Sequence, residues 1–308
     1  MRIRIGTRGS RLARTQTGDV ARLFAARGHE VEIVFIKTAG DRVQDRAFAE
    51  VGAPGIFVAE IEAALLEGRI DLAVHSYKDL PSKGPEQLVV AAVPERLDPA
   101  DRLLARPGTI GHDGVVPLPA GARVGSASAR RRALLQHYRP GLAIELLRGN
   151  LPTRVDRLRR GDFDAILLAA AGIARLDRAG AADPALALDR SGVEERRLDP
   201  ALFVPAPSQG AIAVQVRRDD AATRAAAQEL DDAAAHRAVR AERALQARVE
   251  AGCQVPFGAW CRAVEGALVL TAVLEQAGRL TGAEARGSDP AEIAAAAWDE
   301  LQRGGRAL

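Results

Sequence analysis

Cysteine is scarce in this chain, because only Cys253 and Cys261 occur among 308 residues. Two cysteines cannot build a disulfide framework, and the first residues lack the apolar run of a secretory signal. We therefore expect a protein of the reducing cytoplasm. Long apolar runs are missing as well, since the Ala-rich stretches are short and bracketed by charge. The sequence thus predicts no membrane span.

A block of charge of one sign is also missing. The 43 basic and 40 acidic residues are interspersed, and the net charge is only +3. This balance argues against nucleic acid as a partner. Lysine is rare and occurs only as Lys37, Lys78 and Lys83, so arginine is nearly the only cation whose position can indicate a binding site.

Strand and helix patterns alternate in two stretches of the sequence. The first stretch predicts strands at 3–5, 31–36 and 70–74 with helices at 12–27 and 56–67, and the second repeats this order over 123–166. A Gly-x-apolar-Asp-apolar pattern begins at Gly68 in the first stretch and at Gly161 in the second. We interpret this echo as two α/β lobes of related build.

Domain boundaries follow from these patterns. We expect a first α/β domain at 1–97 and 205–224, a second at 98–204, and an α+β domain at 225–308. The strand predicted at 211–216 has no helix partner nearby, so we expect the chain to return to the first lobe there. Segments 94–107 and 198–207 are rich in proline and charge, which predicts crossings between the lobes.

Three loops that combine glycine, hydroxyls and arginine follow predicted strands, at 6–10, 125–132 and 147–154. The carboxyl ends of parallel strands are the usual ligand sites of α/β sheets. Guanidinium, hydroxyl and backbone donors together favour a ligand with several carboxylates or phosphates. For any one loop, a helix cap beside surface arginines remains the alternative.

Asp79 follows a further predicted strand, in segment 75–81. A carboxylate among arginines can be a salt-bridge partner, or it can stabilise a positive charge that develops on a substrate. The residues alone leave both open. We interpret His75 as a core residue, because no second histidine or cysteine stands at metal-ligand spacing, and we predict no metal.

Cys253 lies in the turn-rich stretch 251–258, between a predicted helix and a predicted strand. Flanking glycine and proline present a thiol that can ionise and form a covalent bond. A solvated cysteine without a role is the alternative for this segment taken alone.

Five motifs, in order along the whole chain, resemble the porphobilinogen deaminase (hydroxymethylbilane synthase) family. They are His75-Ser76-x-Lys78-Asp79-x-Pro81, Arg130-Arg131, Leu147-Arg148-Gly149-Asn150-x-x-Thr153-Arg154, Pro205-Ala206-x-x-Gln209-Gly210-Ala211 and Gly252-Cys253-Gln254-Val255-Pro256-x-Gly258. The resemblance implies head-to-tail joining of four porphobilinogen molecules, with release of ammonia, to give hydroxymethylbilane. It also implies a monomer with two type II periplasmic-binding-protein-like α/β lobes and a small C-terminal α+β domain.

The resemblance also implies roles for individual residues. Cys253 would carry a dipyrromethane cofactor through a thioether, and Asp79 would be the catalytic carboxylate. Segment 38–55 would be a lid, although this chain has Gly52-Ala53-Pro54-Gly55 where many relatives have lysines. The residues implied to bind the cofactor and the growing polypyrrole chain are Arg8, Ser10, Gln16, Ser76, Lys78, Ser128, Arg130, Arg131, Arg148, Asn150, Arg154, Arg175 and Gln209.

Two other functions stay open on the residues alone. A non-enzymatic carboxylate-binding protein of the periplasmic type would also have two lobes with arginines at a cleft. It predicts an export signal or a DNA-binding helix pair, and neither is visible. A thiol enzyme that uses Cys253 as a transient nucleophile would need a nearby base, for which His236 is a weak candidate.

Overall fold

The computed structural model describes residues 1–38, 58–111, 113–249 and 255–308. They form two compact units, residues 1–96 with 211–236 and residues 97–210 with 237–308. Cys253 and all of the predicted lid except Thr38 lie outside the described residues.

Strands and helices alternate through most of the described chain. The strands are β1 (Arg2–Thr7), β2 (Glu30–Phe35), β3 (Leu72–Ser76), β4 (Leu88–Ala92), β5 (Asp101–Ala105), β6 (Arg123–Gly125), β7 (Ala143–Glu145), β8 (Ala165–Ala169), β9 (Glu194–Arg197), β10 (Ile212–Arg217), β11 (Phe257–Val264), β12 (Ala267–Gln276) and β13 (Arg279–Gly287). The α-helices are α1 (Arg11–Ala25), α2 (Ala59–Leu66), α3 (Ala129–Tyr138), α4 (Leu151–Arg159), α5 (Ala170–Ala182), α6 (Ala221–Gln228), α7 (Ala233–Val249) and α8 (Pro290–Gln302). None of these helices has the length and apolarity needed to cross a bilayer.

Each unit contains a five-stranded sheet, and the two sheets have the same plan. The orders are β2-β1-β3-β10-β4 in the first unit and β7-β6-β8-β5-β9 in the second. Four strands of each sheet run in the same direction, and the strand fourth in order, β10 or β5, runs antiparallel to both of its neighbours. The chain therefore returns to the first sheet at β10, as predicted. The predicted crossing at 94–107 instead includes β5, an inner strand of the second sheet.

The echo at Gly68 and Gly161 corresponds to one hydrogen-bonding arrangement that occurs in both sheets. In the first sheet, Asp71 accepts hydrogen bonds from the backbone N–H and the guanidinium of Arg4, which also donates to the Gly68 carbonyl. In the second sheet, Asp164 accepts from the backbone and the side chain of Arg123, which also donates to the Gly161 carbonyl.

Apolar alternation explains why the first strand and the first helix of the chain pack together. Ile3 and Ile5 are fully buried on β1, and Val20 and Phe24 are one helical turn apart on α1. These side chains share a core with Leu72 of β3. A strand with alternate buried residues and a helix with an apolar stripe thus bury their apolar faces together.

A smaller antiparallel sheet, in the order β11-β12-β13, completes the second unit. Its core combines strand residues such as Leu270 with Leu245 of α7 and with Ile293 and Leu301 of α8. This arrangement and the two five-stranded sheets confirm the predicted fold class of two α/β lobes and a small α+β part. The predicted division into three domains stays a prediction.

Candidate active site

The predicted residues of the first unit lie at the carboxyl ends of β1 and β3. Arg8 and Ser10 follow β1, and Ser76 ends β3. Because these strands are parallel neighbours, the residues meet at one edge of the sheet. Arg8, Ser10, Gln16, His75, Ser76 and Asp79 line one pocket there, with a cavity volume of about 80 Å³.

Asp79 is held at this pocket by a single 3₁₀ turn, Tyr77–Asp79. The backbone N–H of Tyr77 donates to the Ala211 carbonyl at 3.1 Å, and the N–H of Leu80 donates to the Tyr77 carbonyl at 3.2 Å. Tyr77 and Leu80 are buried, whereas Asp79 is exposed and Lys78 is half-buried. The turn therefore has a fixed base and an accessible carboxylate.

Two polar residues of the pocket also hold its walls together. The amide of Gln16 on α1 donates to the Ser76 hydroxyl at the end of β3 over 2.8 Å. Ser10 caps α1, since its hydroxyl accepts from the backbone N–H of Ala13 at 3.4 Å. Capping by Ser10 leaves the positive end of the helix dipole beside Arg8, which favours an anionic ligand.

His75 forms the buried floor of this pocket. Its Nε2 lies 3.0 Å from Oε1 of Gln215 on β10, and Nε2 of Gln215 donates to Glu62 of α2 over 2.9 Å. Burial is the main cause that lowers the pKa of His75 to about 4; the Arg8 charge acts in the same direction, and the hydrogen bond to Gln215 acts in the opposite direction. The imidazole is therefore neutral at neutral pH.

The buried neutral histidine predicts a specific pH dependence of stability. The unfolded chain binds a proton at His75 near pH 6.5, but the folded chain does so only near about pH 4. The free energy of unfolding should therefore fall as the pH is lowered through this window, by up to roughly 3 kcal/mol. Chemical denaturation of the wild type and of His75→Gln across this range measures the effect. Parallel curves for the two proteins would contradict it.

In the second unit, all of the predicted residues except Gln209 follow β6, β7 or β8. Ser128 caps α3 by accepting from the backbone N–H of Arg131 at 3.4 Å, and Asn150 caps α4 by accepting from that of Thr153 at 3.0 Å. Nε of Arg154 donates to the Gly149 carbonyl at 2.7 Å. Arg148 is half-buried after β7. Helix caps are thus present at these loops, and their presence is compatible with anion binding at the helix ends.

Arg130 and Arg131 are buried and share one carboxylate, that of Asp101 on β5. Each guanidinium donates to a different oxygen of Asp101 at 2.7 Å. Each also donates to a backbone carbonyl, Arg130 to Val204 at 2.7 Å and Arg131 to Leu167 at 2.8 Å. Burial alone would raise the pKa of the Asp101 carboxyl, but the two arginines outweigh burial, and the net shift is downward. The cluster therefore keeps one excess positive charge.

Gln209 joins the 205–210 loop to the same carboxylate. Its amide donates to Asp101 at 2.9 Å and to the Pro99 carbonyl at 2.7 Å. Arg175 of α5 donates to the carbonyl of Gly210 at 2.7 Å. Ser208 has a φ of 63°, and its N–H donates to the buried Glu242 of α7 at 2.6 Å. A left-handed serine is uncommon, and these contacts hold the loop in that conformation.

Loss of the shared carboxylate should strongly destabilise the second unit. Asp101 is fully buried, so Asp101→Asn leaves two buried guanidinium groups without a counter-charge. We expect the free energy of unfolding to fall by about 3–5 kcal/mol in urea denaturation. Glu32→Gln is the control, because it breaks the exposed pair with Arg2 and should cost less than about 1 kcal/mol. Equal stabilities of the two variants would refute this.

Sequence reasoning missed Asp101, Gln215, Glu62 and Glu242. Asp101 begins an apolar strand inside a segment rich in proline and charge, so the local pattern indicated a connection. Gln215 interrupts a buried strand, and a polar residue at such a position is the available signal, because buried polar groups need partners. Within the described ranges, no group of three or more His, Cys, Asp or Glu side chains is placed to hold a metal ion.

Comparisons with known proteins agree with the five motifs. The family described as "Porphobilinogen deaminase, dipyromethane cofactor binding domain" matches residues 3–225, and "Porphobilinogen deaminase, C-terminal domain" matches residues 236–301. A porphobilinogen deaminase of Roseiflexus sp. (strain RS-1) is 44% identical over 310 residues, which cover 99% of this chain and 97% of that protein. One of Mycolicibacterium paratuberculosis is 47% identical and covers 85% of this chain and 78% of that protein.

Similarity to solved structures is much weaker. An ancestral arginine-binding protein bound to arginine is 16% identical, with a TM-score of 0.40 over 74% of this chain and 90% of that one. A score this low carries no weight for ligand or function. The sequence matches do carry weight, because they extend over nearly the whole chain. They show that this chain belongs to the porphobilinogen deaminase family.

Proposed function

We propose that this chain is a hydroxymethylbilane synthase, a transferase that joins four porphobilinogen molecules head to tail on a dipyrromethane cofactor bound to Cys253. Ammonia leaves at each addition, and hydroxymethylbilane is the released product. The observation that carries the proposal is the pocket in which Asp79 lies with Arg8, Ser10 and Ser76 at the ends of two parallel strands. We further propose that the protein acts as a monomer in the cytoplasm.

The donor set of the described residues fits a dipyrromethane group. Each pyrrole ring of such a group carries an acetate and a propionate, which need several cations. In the first unit Arg8 supplies one at the pocket, and in the second unit Arg148 and Arg154 are accessible beside the α4 N-terminus. Nε of Arg130 and Nε of Arg131 are buried without a hydrogen-bond partner among the described residues. Unused donors in a cluster with excess positive charge support a role in anion binding.

The cofactor, when bound, supplies the pyrrole end to which substrate units are joined. The residues of the chain bind and orient the cofactor and the substrate. Within each unit taken by itself, the arginines would donate charge-assisted hydrogen bonds to acetate or propionate oxygens, and the capped helix N-termini of that unit, α1 in the first and α3 and α4 in the second, would add their dipoles. Fixed donors of this kind hold the reacting carbons close together, which lowers the entropic part of the barrier.

Asp79 provides the charge that the chemistry needs. Loss of ammonia from the aminomethyl group of porphobilinogen leaves a positive charge on the substrate pyrrole. An ionised carboxylate beside the pyrrole N–H stabilises that charge and accepts a hydrogen bond from the ring. Because Tyr77 and Leu80 are buried, the backbone of the turn that carries Asp79 is held in place.

Two measurements on the wild-type protein test the function. Intact-mass spectrometry should give a mass above that of the polypeptide by one dipyrromethane, and purified protein should convert porphobilinogen to hydroxymethylbilane with release of ammonia. A carboxylate-binding protein would bind the substrate without turnover and would have the mass of the bare polypeptide. A transient thiol nucleophile would likewise carry no stable adduct. Either result would reject the proposal.

Oligomeric state is a separate measurement. Light scattering coupled to gel filtration should give a molar mass near the 32.6 kDa of the chain. A mass that is a multiple of this value would contradict the proposed monomer and leave the proposed reaction untouched.

A further inference from the structure

We propose that His75 is a neutral hydrogen-bond acceptor in the Asp79 pocket, with its ring tautomer fixed by Gln215 and Glu62. The group that it accepts is the N–H of a bound pyrrole ring other than the ring whose N–H Asp79 accepts, and this identification of the ligand rests on the proposed function. The tautomer itself follows from the hydrogen bonds of the first unit and does not depend on the ligand.

The strand register brings the three side chains together. On the antiparallel pair β3 and β10, His75 lies opposite Ala213 and Gln215 lies opposite Ala73, so His75 and Gln215 are diagonal neighbours on one face. Glu62, on α2 above that face, completes the row at 2.9 Å from the Gln215 amide. We call the row His75–Gln215–Glu62 the amide relay.

Charge decides the direction of the hydrogen bonds in the amide relay. Burial raises the pKa of the Glu62 carboxyl, and the hydrogen bond from Gln215 opposes that rise by favouring the ionised form. An ionised carboxylate only accepts, so Gln215 turns its NH₂ group towards Glu62 and its carbonyl oxygen towards His75. A carbonyl oxygen also only accepts, so Nε2 of His75 must carry the proton. In a neutral ring the other nitrogen, Nδ1, then has a free lone pair.

The groups around His75 keep its ring neutral. Arg8 and Asp79 line the same pocket, Gln215 contacts the ring from β10, and Glu62 is separated from the ring by Gln215. Burial and the positive charge of Arg8 oppose protonation of the ring. A neutral acceptor suits a site that also binds carboxylates, because it accepts an N–H without adding a negative charge that would repel them.

Nuclear magnetic resonance of protein labelled with ¹⁵N at its histidines tests the tautomer directly. The expected spectrum of His75, assigned by its loss in His75→Gln, shows a protonated Nε2 and an unprotonated Nδ1 throughout the neutral range. His137→Gln is the matched control, since His137 is exposed on α3 in the other unit. A protonated Nδ1, or a doubly protonated ring at neutral pH, would overturn the proposal.

Glu62→Gln tests the amide relay. A glutamine at this position can donate or accept, so Gln215 is no longer forced into one orientation, and we expect both His75 tautomers to appear. If the Nε2–H form stays the sole tautomer in this variant, Glu62 does not fix it and the amide relay is wrong.

Kinetics test the acceptor role separately from the tautomer. His75→Phe keeps a ring but removes the acceptor, and we expect the KM for porphobilinogen to rise about tenfold with a smaller change in kcat. His75→Gln keeps an acceptor oxygen and should recover most of that loss. A KM for His75→Phe equal to that of wild type would overturn the acceptor role. An inactive wild-type protein would instead refute the proposed function, while the tautomer experiment would still stand.

Discussion

Asp79→Asn should reduce turnover of porphobilinogen by about 10²–10³-fold, the usual effect of removing one group that stabilises charge in a transition state. Asparagine keeps the shape of the side chain and its ability to accept a hydrogen bond, but it cannot offset a positive charge. The buried contacts of Tyr77 and Leu80 that support the turn do not involve this carboxylate, so the fold should be kept. The loss should therefore appear in kcat more than in KM.

Single-turnover kinetics on protein of known cofactor content is the appropriate measurement, because Asp79→Asn should also assemble its cofactor only in part. Normalising the rate to the loaded fraction separates the two effects. Asp219→Asn serves as the control, since Asp219 is an exposed aspartate of the same unit beyond β10 and should behave as wild type. Near-normal turnover in loaded Asp79→Asn protein would remove Asp79 from the mechanism.

Cys253→Ser should abolish the covalent adduct and, with it, all turnover. A serine hydroxyl is a far weaker nucleophile than a thiolate, so the thioether cannot form and its oxygen counterpart should not replace it. We expect the intact mass of the variant to equal that of the polypeptide alone. Wild-type protein prepared in parallel should be heavier by the dipyrromethane.

Cys261→Ser is the matched control for this substitution. Cys261 is the other cysteine of the chain and is buried on β11, so it has no access to a ligand from solvent. Its serine variant should keep the full adduct, although it should be less stable because a hydroxyl replaces a buried thiol. An adduct that survives in Cys253→Ser, or one that disappears in Cys261→Ser, would show that the cofactor is not attached at Cys253.

The sequence indicated that candidate polar residues follow the predicted strands. Arg8, Ser10 and Asp79 do follow β1 and β3 and line one pocket, although the sequence alone left a helix cap beside surface arginines as the alternative for any one loop. Fold class followed from the alternation of strand and helix periods, and the repeated Gly-x-apolar-Asp pattern proved to mark equivalent contacts of Asp71 and Asp164. These features are local in sequence, so a single chain can reveal them.

Partners that are distant in sequence were not predictable. Nothing near Arg130 indicates that Asp101 binds it, because the contact depends on β5 being inserted beside β8 in the second sheet. Gln215 likewise meets His75 only through the antiparallel register of β10 and β3. Burial separates residues that the motifs had grouped together, since Arg130 and Arg131 are held within the protein while Asp79 is accessible.

The position of β10 limits the order in which the chain can fold during synthesis. Among the described strands of the first sheet, β10 is the one partner of β4, so β4 has no neighbour among them until the ribosome has released residues 212–217. The second five-stranded sheet needs only residues 101–197 and can be complete before then. A nascent chain should therefore finish its second sheet first, although the first sheet begins at the amino terminus.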